Sequence, residues 1–372
     1  MMNKFKLAAC ALFLGLAGTA QEVEFTQYEL DNGLDVILHR DNSAPVVTVG
    51  VMYHVGGKNH KEGRSGFAHF FEHLLFEGTE NIERGEWFNI VAAHGGSNNA
   101  NTTQDRTYYY ETFPSNNLKL ALWMESERMF HPVINEIGVE TQNEVVKEEK
   151  RSSYLNRPYG KFFLKMGSFM FEEHPYKIPN IGMMEDLDAA SLEEFKAYFE
   201  KYYNPNNATL VVAGDIEKDQ AKEWIKAYFG PIPKGPEVKQ VDITEDPITE
   251  TMVDTLYDSN IQIPLVGLVF RTPAMKSRDA HVLDMISTLL TDGKSSRLYK
   301  KMVDDEKEAI QVLAFNRAME DYGMYIIGAL PLGETPLDTL VASMDEEIEK
   351  LQNELISERE YQKLQNIFMN RY

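Results

Sequence analysis

The sequence predicts two α+β units in tandem, each built from strands and helices in two layers. Two observations carry this. Short β-branched or aromatic runs alternate with helix-period segments over residues 21–230, and a weaker version of that order returns after residue 251. Between them, Gly230-Pro231-Ile232-Pro233-Lys234-Gly235-Pro236 is the densest breaker cluster in the chain and opens an acidic, polar stretch to Thr251. The expected organisation is therefore a first unit over 21–230, a linker over 231–251 and a second unit over 252–372, related by duplication.

The elements follow in order. Phe25–Leu30 and Leu34–His39 flank an Asn32-Gly33 turn and read as a hairpin. Val46–Tyr53 is a strand, Ser65–Phe76 and Glu83–Ala93 are helices, and Ser97–Thr102 and Thr107–Thr112 are strands beyond Gly95-Gly96. Two longer helices span Asn117–Met129 and Asn135–Arg157. Ala208–Ala213 is a buried-type strand, and Lys218–Phe229 is an amphipathic helix. The second unit offers strands Ile263–Phe270, Ile310–Asn316 and Gly323–Leu330. Its helices are Arg278–Leu290, Arg297–Asp305, Pro336–Glu354 and Glu358–Tyr372.

The first twenty residues read as an address. Lys4 and Lys6 precede the apolar run Leu7–Leu16, and Ala17-Gly18-Thr19-Ala20 offers small residues for cleavage. Leu7-Ala8-Ala9-Cys10 resembles a lipoprotein box, but little apolar sequence precedes it, so a cut after Ala20 is preferred over anchoring at Cys10. That cut removes the one cysteine, which excludes an internal disulfide and a cysteine-ligated metal. A secreted or periplasmic protein without a membrane span is expected. With 37 Lys+Arg against 58 Asp+Glu, a formal net charge of -21, nucleic acid is an unsuitable partner.

The chemistry centres on His69-Phe70-Phe71-Glu72-His73. Residues four apart share a helix face, so both imidazoles project together with Glu72 beside them. Two neutral imidazoles can hold Zn²⁺ at about 2.0–2.1 Å, and a carboxylate next to the open position can take a proton from an activated water. A third ligand is required. Helix 135–157 offers Glu140, Glu144, Glu148 and Glu149; the first three follow a four-residue stripe typical of a solvated face, and spacing alone does not choose between Glu148 and Glu149. A purely structural zinc is disfavoured because such sites usually complete four protein ligands with cysteine. The remaining histidines lack ligand spacing.

These residues, with their flanks, resemble the inverzincin zinc peptidases of the pitrilysin and mitochondrial-processing-peptidase family. The likeness runs from Gly66 to Thr79, through Gly95–Ala100 and Thr107–Tyr110, Glu144–Glu149 with Asn156–Gly160, His174-Pro175-Tyr176, Asn204–Asp215 and Ser295–Tyr299. It implies two homologous domains, each with a mixed, mostly antiparallel sheet and helices on one face, the second without a metal motif and here short of its usual length. It implies one zinc per chain on His69, His73 and Glu149, which lies 76 positions beyond His73, with Glu72 as general base. It implies peptide binding along Ser97–Thr102 at Asn99 and Ala100, and contacts from Arg297 and Tyr299 across a chamber. The family tends to have a glutamate where Gln142 stands. Pairing as a homodimer or with a related subunit is implied too. The expected activity is zinc-dependent cleavage of extended peptides; the alternative is a non-catalytic subunit of the same fold, which a broken motif would signal. A quorum-signal lyase with a related motif is shorter and relies on cysteine.

Overall fold

The structure, a computed structural model, describes residues 23–371. The expected leader, its cleavage site and Cys10 lie outside the described residues. The first unit is a six-stranded sheet: β1 (Thr26–Glu29), β2 (Asp35–Arg40), β3 (Val46–Tyr53), β4 (Ser97–Thr102), β5 (Thr107–Pro114) and β6 (Ala208–Gly214). The strand order is β1-β2-β6-β3-β5-β4. Only β2 and β6 run parallel; the other neighbours are antiparallel. The β1–β2 hairpin turns at Gly33, whose φ of 86° suits glycine. Asn32 ties that turn down by donating to the carbonyls of Phe229 and Ile232 at 2.8 and 2.9 Å.

Burial alternates along β2, β5 and β6, as expected of strands with one face in the core. Against that face pack α1 (Phe67–Leu74), α2 (Glu86–Ala93) and α3 (Leu118–Phe130), with α4 (Glu136–Lys150) beyond α1. The expected helix 135–157 continues past α4 as a π-helical turn, Arg151–Leu155. Three helices were not anticipated: α5 (Gly160–Met170), α6 (Met184–Asp188) and α7 (Leu192–Tyr202). The signal for α7 was present, since Ser191 and Glu194 form a capping box. In α5, two glycines weaken the helical pattern. The unit closes with α8 (Lys218–Phe229).

Residues 231–265 carry no helix or strand, yet the segment is anchored. Glu245 accepts backbone N–H bonds from Glu172, Glu173 and His174 and pairs with Arg271 at 3.2 Å. The second unit has β7 (Val266–Thr272), α9 (Arg278–Thr291), a π-helical stretch Tyr299–Asp305, β8 (Ala309–Ala318), β9 (Gly323–Pro331), α10 (Leu337–Asn353) and α11 (Glu358–Arg371). Its antiparallel sheet has the order β7-β9-β8. The expected strand Ile263–Phe270 thus begins three residues later, and the expected helix Arg297–Asp305 is π-helical over most of its length. Among the described residues no helix is long and apolar enough to cross a membrane.

A buried polar latch joins the units. Lys58, fully buried, pairs with Asp105 at 3.2 Å and with Glu320 and Asp321 of the β8–β9 turn at 2.8 Å each. His54 reaches Glu320 at 2.7 Å, and His174 lies 3.2 Å from Asp321. Burial pushes the His174 imidazole below its ordinary pKa, against the pull of Asp321. Burial opposes the Glu320 charge, but His54 and Lys58 outweigh it and hold the carboxyl low. Both groups are depressed in the fold, so the unfolded chain binds more protons and stability falls on acidification. The melting temperature should decline first as pH drops through about 6.5, and further toward the carboxylate range near about 4. His174→Gln should flatten the first part of that decline; an unchanged wild-type profile between about pH 7.5 and 5.5 would count against this assignment.

Candidate metal centre

The metal motif sits where α1 leaves the core. Gly66 caps α1 with a left-handed φ of 84°. A side chain there would meet the Ile181 carbonyl at 2.9 Å and Gly182 at 3.0 Å, so both conformation and space require glycine. Phe67, Phe70, Phe71 and Leu74 bury one face of the helix. The other presents His69 and His73, with ring centroids 5.0 Å apart. Three hydrogen bonds hold the backbone of this helix. Tyr109 donates to the Phe71 carbonyl at 2.8 Å, Arg128 to that of Leu75 at 2.8 Å, and Tyr203 to that of Ala68 at 3.4 Å. None of these three was singled out from the sequence; their targets are backbone atoms 38, 53 and 135 residues away.

Helix α4 supplies the third group. Asn135 caps it by accepting from Gly138 N–H at 2.9 Å. Glu149 Oε2 lies 3.5 Å from His69 Nε2 and 3.2 Å from His73 Nε2. These facing nitrogens hold the Glu149 carboxyl well below the usual carboxylate range, His69 contributing most. Glu148 points away: it is 67% exposed and pairs with Arg151 at 3.2 Å. Glu144 is likewise exposed and pairs with Lys147. The structure thus brings Glu149, and not Glu148, to the two histidines.

The donor set fits a tetrahedral zinc. Two ligands at about 2.0–2.1 Å on a tetrahedral centre lie roughly 3.3 Å apart, and the two nitrogen–oxygen separations bracket that distance. Among the described residues, His69, His73 and Glu149 have ligand atoms all within 4.8 Å of one another. His69 is buried, and its Nδ1 has no hydrogen-bond partner among the described residues, so its polar contact is made through Nε2 at the cluster. Glu72, half-buried one position before His73, makes no hydrogen bond or ion pair among the described residues, which leaves its carboxylate available. Gln142 donates to Glu77, which also pairs with Arg84. An amide supplies a donor to that carboxylate where a second carboxylate would repel it.

The other expected site residues divide. Asn99 and Ala100 lie on β4, the edge strand of the sheet, paired on one side with Tyr110 and Tyr109, and β4 packs beside α1. Asn99 Oδ1 accepts the Ala100 N–H at 2.9 Å. Arg297 and Tyr299 are engaged within the second unit. Arg297 is held by Glu360 at 2.7 and 3.1 Å, and Tyr299 packs partly buried against the second core. Neither makes a hydrogen bond or ion pair with the histidine–glutamate cluster among the described residues. In the second unit His281 is exposed on α9 and joins no metal-type cluster among the described residues.

Residues 35–167 match the family model described as insulinase (peptidase family M16), and residues 189–368 match the model described as peptidase M16 inactive domain. The chain is 31% identical over 339 residues to the zinc protease PqqE of Helicobacter pylori, covering 90% of this chain and 76% of that relative. A crystal structure of a protease from Helicobacter pylori superposes with a TM-score of 0.82 at 29% identity, covering 92% of this chain and 83% of that one. Pitrilysin shares the fold, with a TM-score of 0.73 at 19% identity over 91% of this chain and 37% of its own. The strand order, the second unit without a metal motif and these matches together place the chain in the M16 peptidase family.

Proposed function

We propose that this protein is a zinc-dependent endopeptidase of an extracytoplasmic space, hydrolysing extended peptides laid along β4. The observation that carries the reading is the convergence of His69, His73 and Glu149 beside a carboxylate with no competing partner, Glu72. His69, His73 and Glu149 would hold one zinc per chain, and zinc when bound supplies the Lewis acidity that makes water a nucleophile at neutral pH. Glu72 takes the proton of the attacking water and passes it to the leaving amine, so one residue serves as base and then as acid. β4 has no strand on its outer side, where an extended peptide can add, its main chain replacing the Asn99 side chain at the Ala100 N–H and supplying the affinity. Pairing with a second copy or a related subunit would enclose the cleft.

The test is hydrolysis of internally quenched fluorescent peptides by purified protein. Activity should vanish on chelation and return with stoichiometric zinc. A zinc-loaded protein that leaves every peptide of a diverse library intact would overturn the reading.

A further inference from the structure

A cavity of about 520 Å³ lies where the two units meet. Gln104, Tyr154, Arg157, Tyr159 and Asn180 line it from the first unit and Arg317 from the second. Arg317 is the penultimate residue of β8, and its surroundings desolvate it enough to push its pKa below the ordinary arginine value. Neither the Arg317 nor the Arg157 side chain has a hydrogen bond or ion pair among the described residues. The acid whose charge reaches Arg317 is Asp105, and its carboxylate is already committed to Lys58, the Tyr176 hydroxyl and the Glu320 N–H. In a chain with 58 acids and 37 bases, one cavity therefore collects two arginines without counter-ions. Arg157 is exposed at the cavity rim, but Arg317 is drawn from water, and a cation so placed is costly unless an anion joins it.

The position of the cavity says what the anion belongs to. Tyr154 lies five residues beyond Glu149 on the same helical run, about 7 Å along its axis. Asn180 donates to the carbonyl of Thr102, the last residue of β4, at 2.7 Å, and Gln104 follows two residues later. A peptide paired along β4 from Ala100 reaches the cavity within about four residues at roughly 3.4 Å each. Gln104 Oε1 is buried without a partner among the described residues, and a modest turn of this side chain would let it accept a peptide N–H. A peptide brings both an N–H and a carboxylate.

We propose that this cavity is an anionic subsite of the peptide cleft, in which Arg317 and Arg157 receive a carboxylate of the bound chain. The carboxylate comes from the peptide C-terminus or from an Asp or Glu side chain. The inference rests on the peptidase reading, and it reverses the simplest expectation from net charge, that an acidic protein selects basic peptides.

Binding can be measured without turnover, by fluorescence anisotropy on the Glu72→Gln variant. Three forms of one labelled peptide of about ten residues suffice: acid-free with a free C-terminus, acid-free and amidated, and amidated with a single glutamate. Amidation of the acid-free form should weaken binding by about tenfold or more, as loss of a charge-assisted bidentate contact does. If the glutamate form recovers the affinity, the side chain is a source of the carboxylate; if it does not, the C-terminus alone is recognised. Equal affinity of all three forms overturns the proposal, and that comparison needs no change to the cavity. Arg317→Gln should abolish the preference with zinc content unaltered, and the exposed Arg157→Gln should reduce it; a preference surviving both overturns the assignment of these residues. Absence of turnover in the wild type would defeat the peptidase reading while leaving the carboxylate preference to be judged on its own.

Discussion

Replacing Glu72 with glutamine is expected to leave the metal site filled and to slow peptide hydrolysis by at least about 10²-fold, the usual contribution of a positioned general base. The substitution preserves shape and removes only the ability to take a proton. It should not disturb folding, because Glu72 makes no hydrogen bond or ion pair among the described residues and its neighbours Phe70, Phe71 and Leu74 carry the packing of α1. The matched control is Glu149→Gln, which removes the carboxylate facing both imidazoles. That variant should lose zinc, whereas Glu148→Gln should retain it, since Glu148 faces solvent and Arg151. Metal content by mass spectrometry and rates on one quenched peptide separate the roles. Near wild-type turnover by Glu72→Gln would dismiss it as the base, and zinc loss in the Glu148 variant alone would refute the ligand assignment.

Arg128→Met is expected to cost about 3–5 kcal/mol of stability, the usual range when one partner of a buried ionic set is removed. Arg128 is fully buried, with its guanidinium 3.9 Å from the centroid of the Trp87 ring, 4.3 Å from Tyr109 and 4.4 Å from Phe76. It pairs with Glu125 and Glu111 at 3.2 Å each and donates to the Leu75 carbonyl. Two acids thus share one cation. Burial, then the charge of Glu125, pushes the Glu111 carboxyl well above the usual range. Methionine keeps much of the packing but strands the Glu125 charge and the Leu75 carbonyl. Leu75 caps α1, which carries both histidines, so zinc should also bind more weakly. Adding Glu125→Gln should recover part of the loss, because the stranded charge goes. Urea unfolding of the three proteins measures this; a single-variant cost under about 1 kcal/mol would show that the set contributes little.

The elements around the site were legible because their signals are local. The Asn32-Gly33 turn, the alternating strands β2 and β5 and the amphipathic α8 each declare themselves within a dozen residues. The segment between Arg157 and Asn204 was not resolved into α5, α6 and α7, since glycines and short helices blur the period there. Strand order was not legible at all. That β6 inserts between β2 and β3 depends on pairings some 170 residues apart, for which the strand sequences carry no address.

What the sequence by itself determined is the pair of imidazoles with its carboxylate, because a four-residue spacing on a helix dictates a shared face. Tertiary structure decided which glutamate faces the two histidines. Adjacent helix residues differ by about 100° in direction, so the rotation of α4 against α1 turns Glu149 to the histidines and Glu148 to solvent. It also set Arg297 against Glu360 within the second unit, and it brought Arg317 beside Tyr154, at the end of the helical run that carries Glu149. Those outcomes depend on how two separately encoded units pack, and no local pattern specifies that.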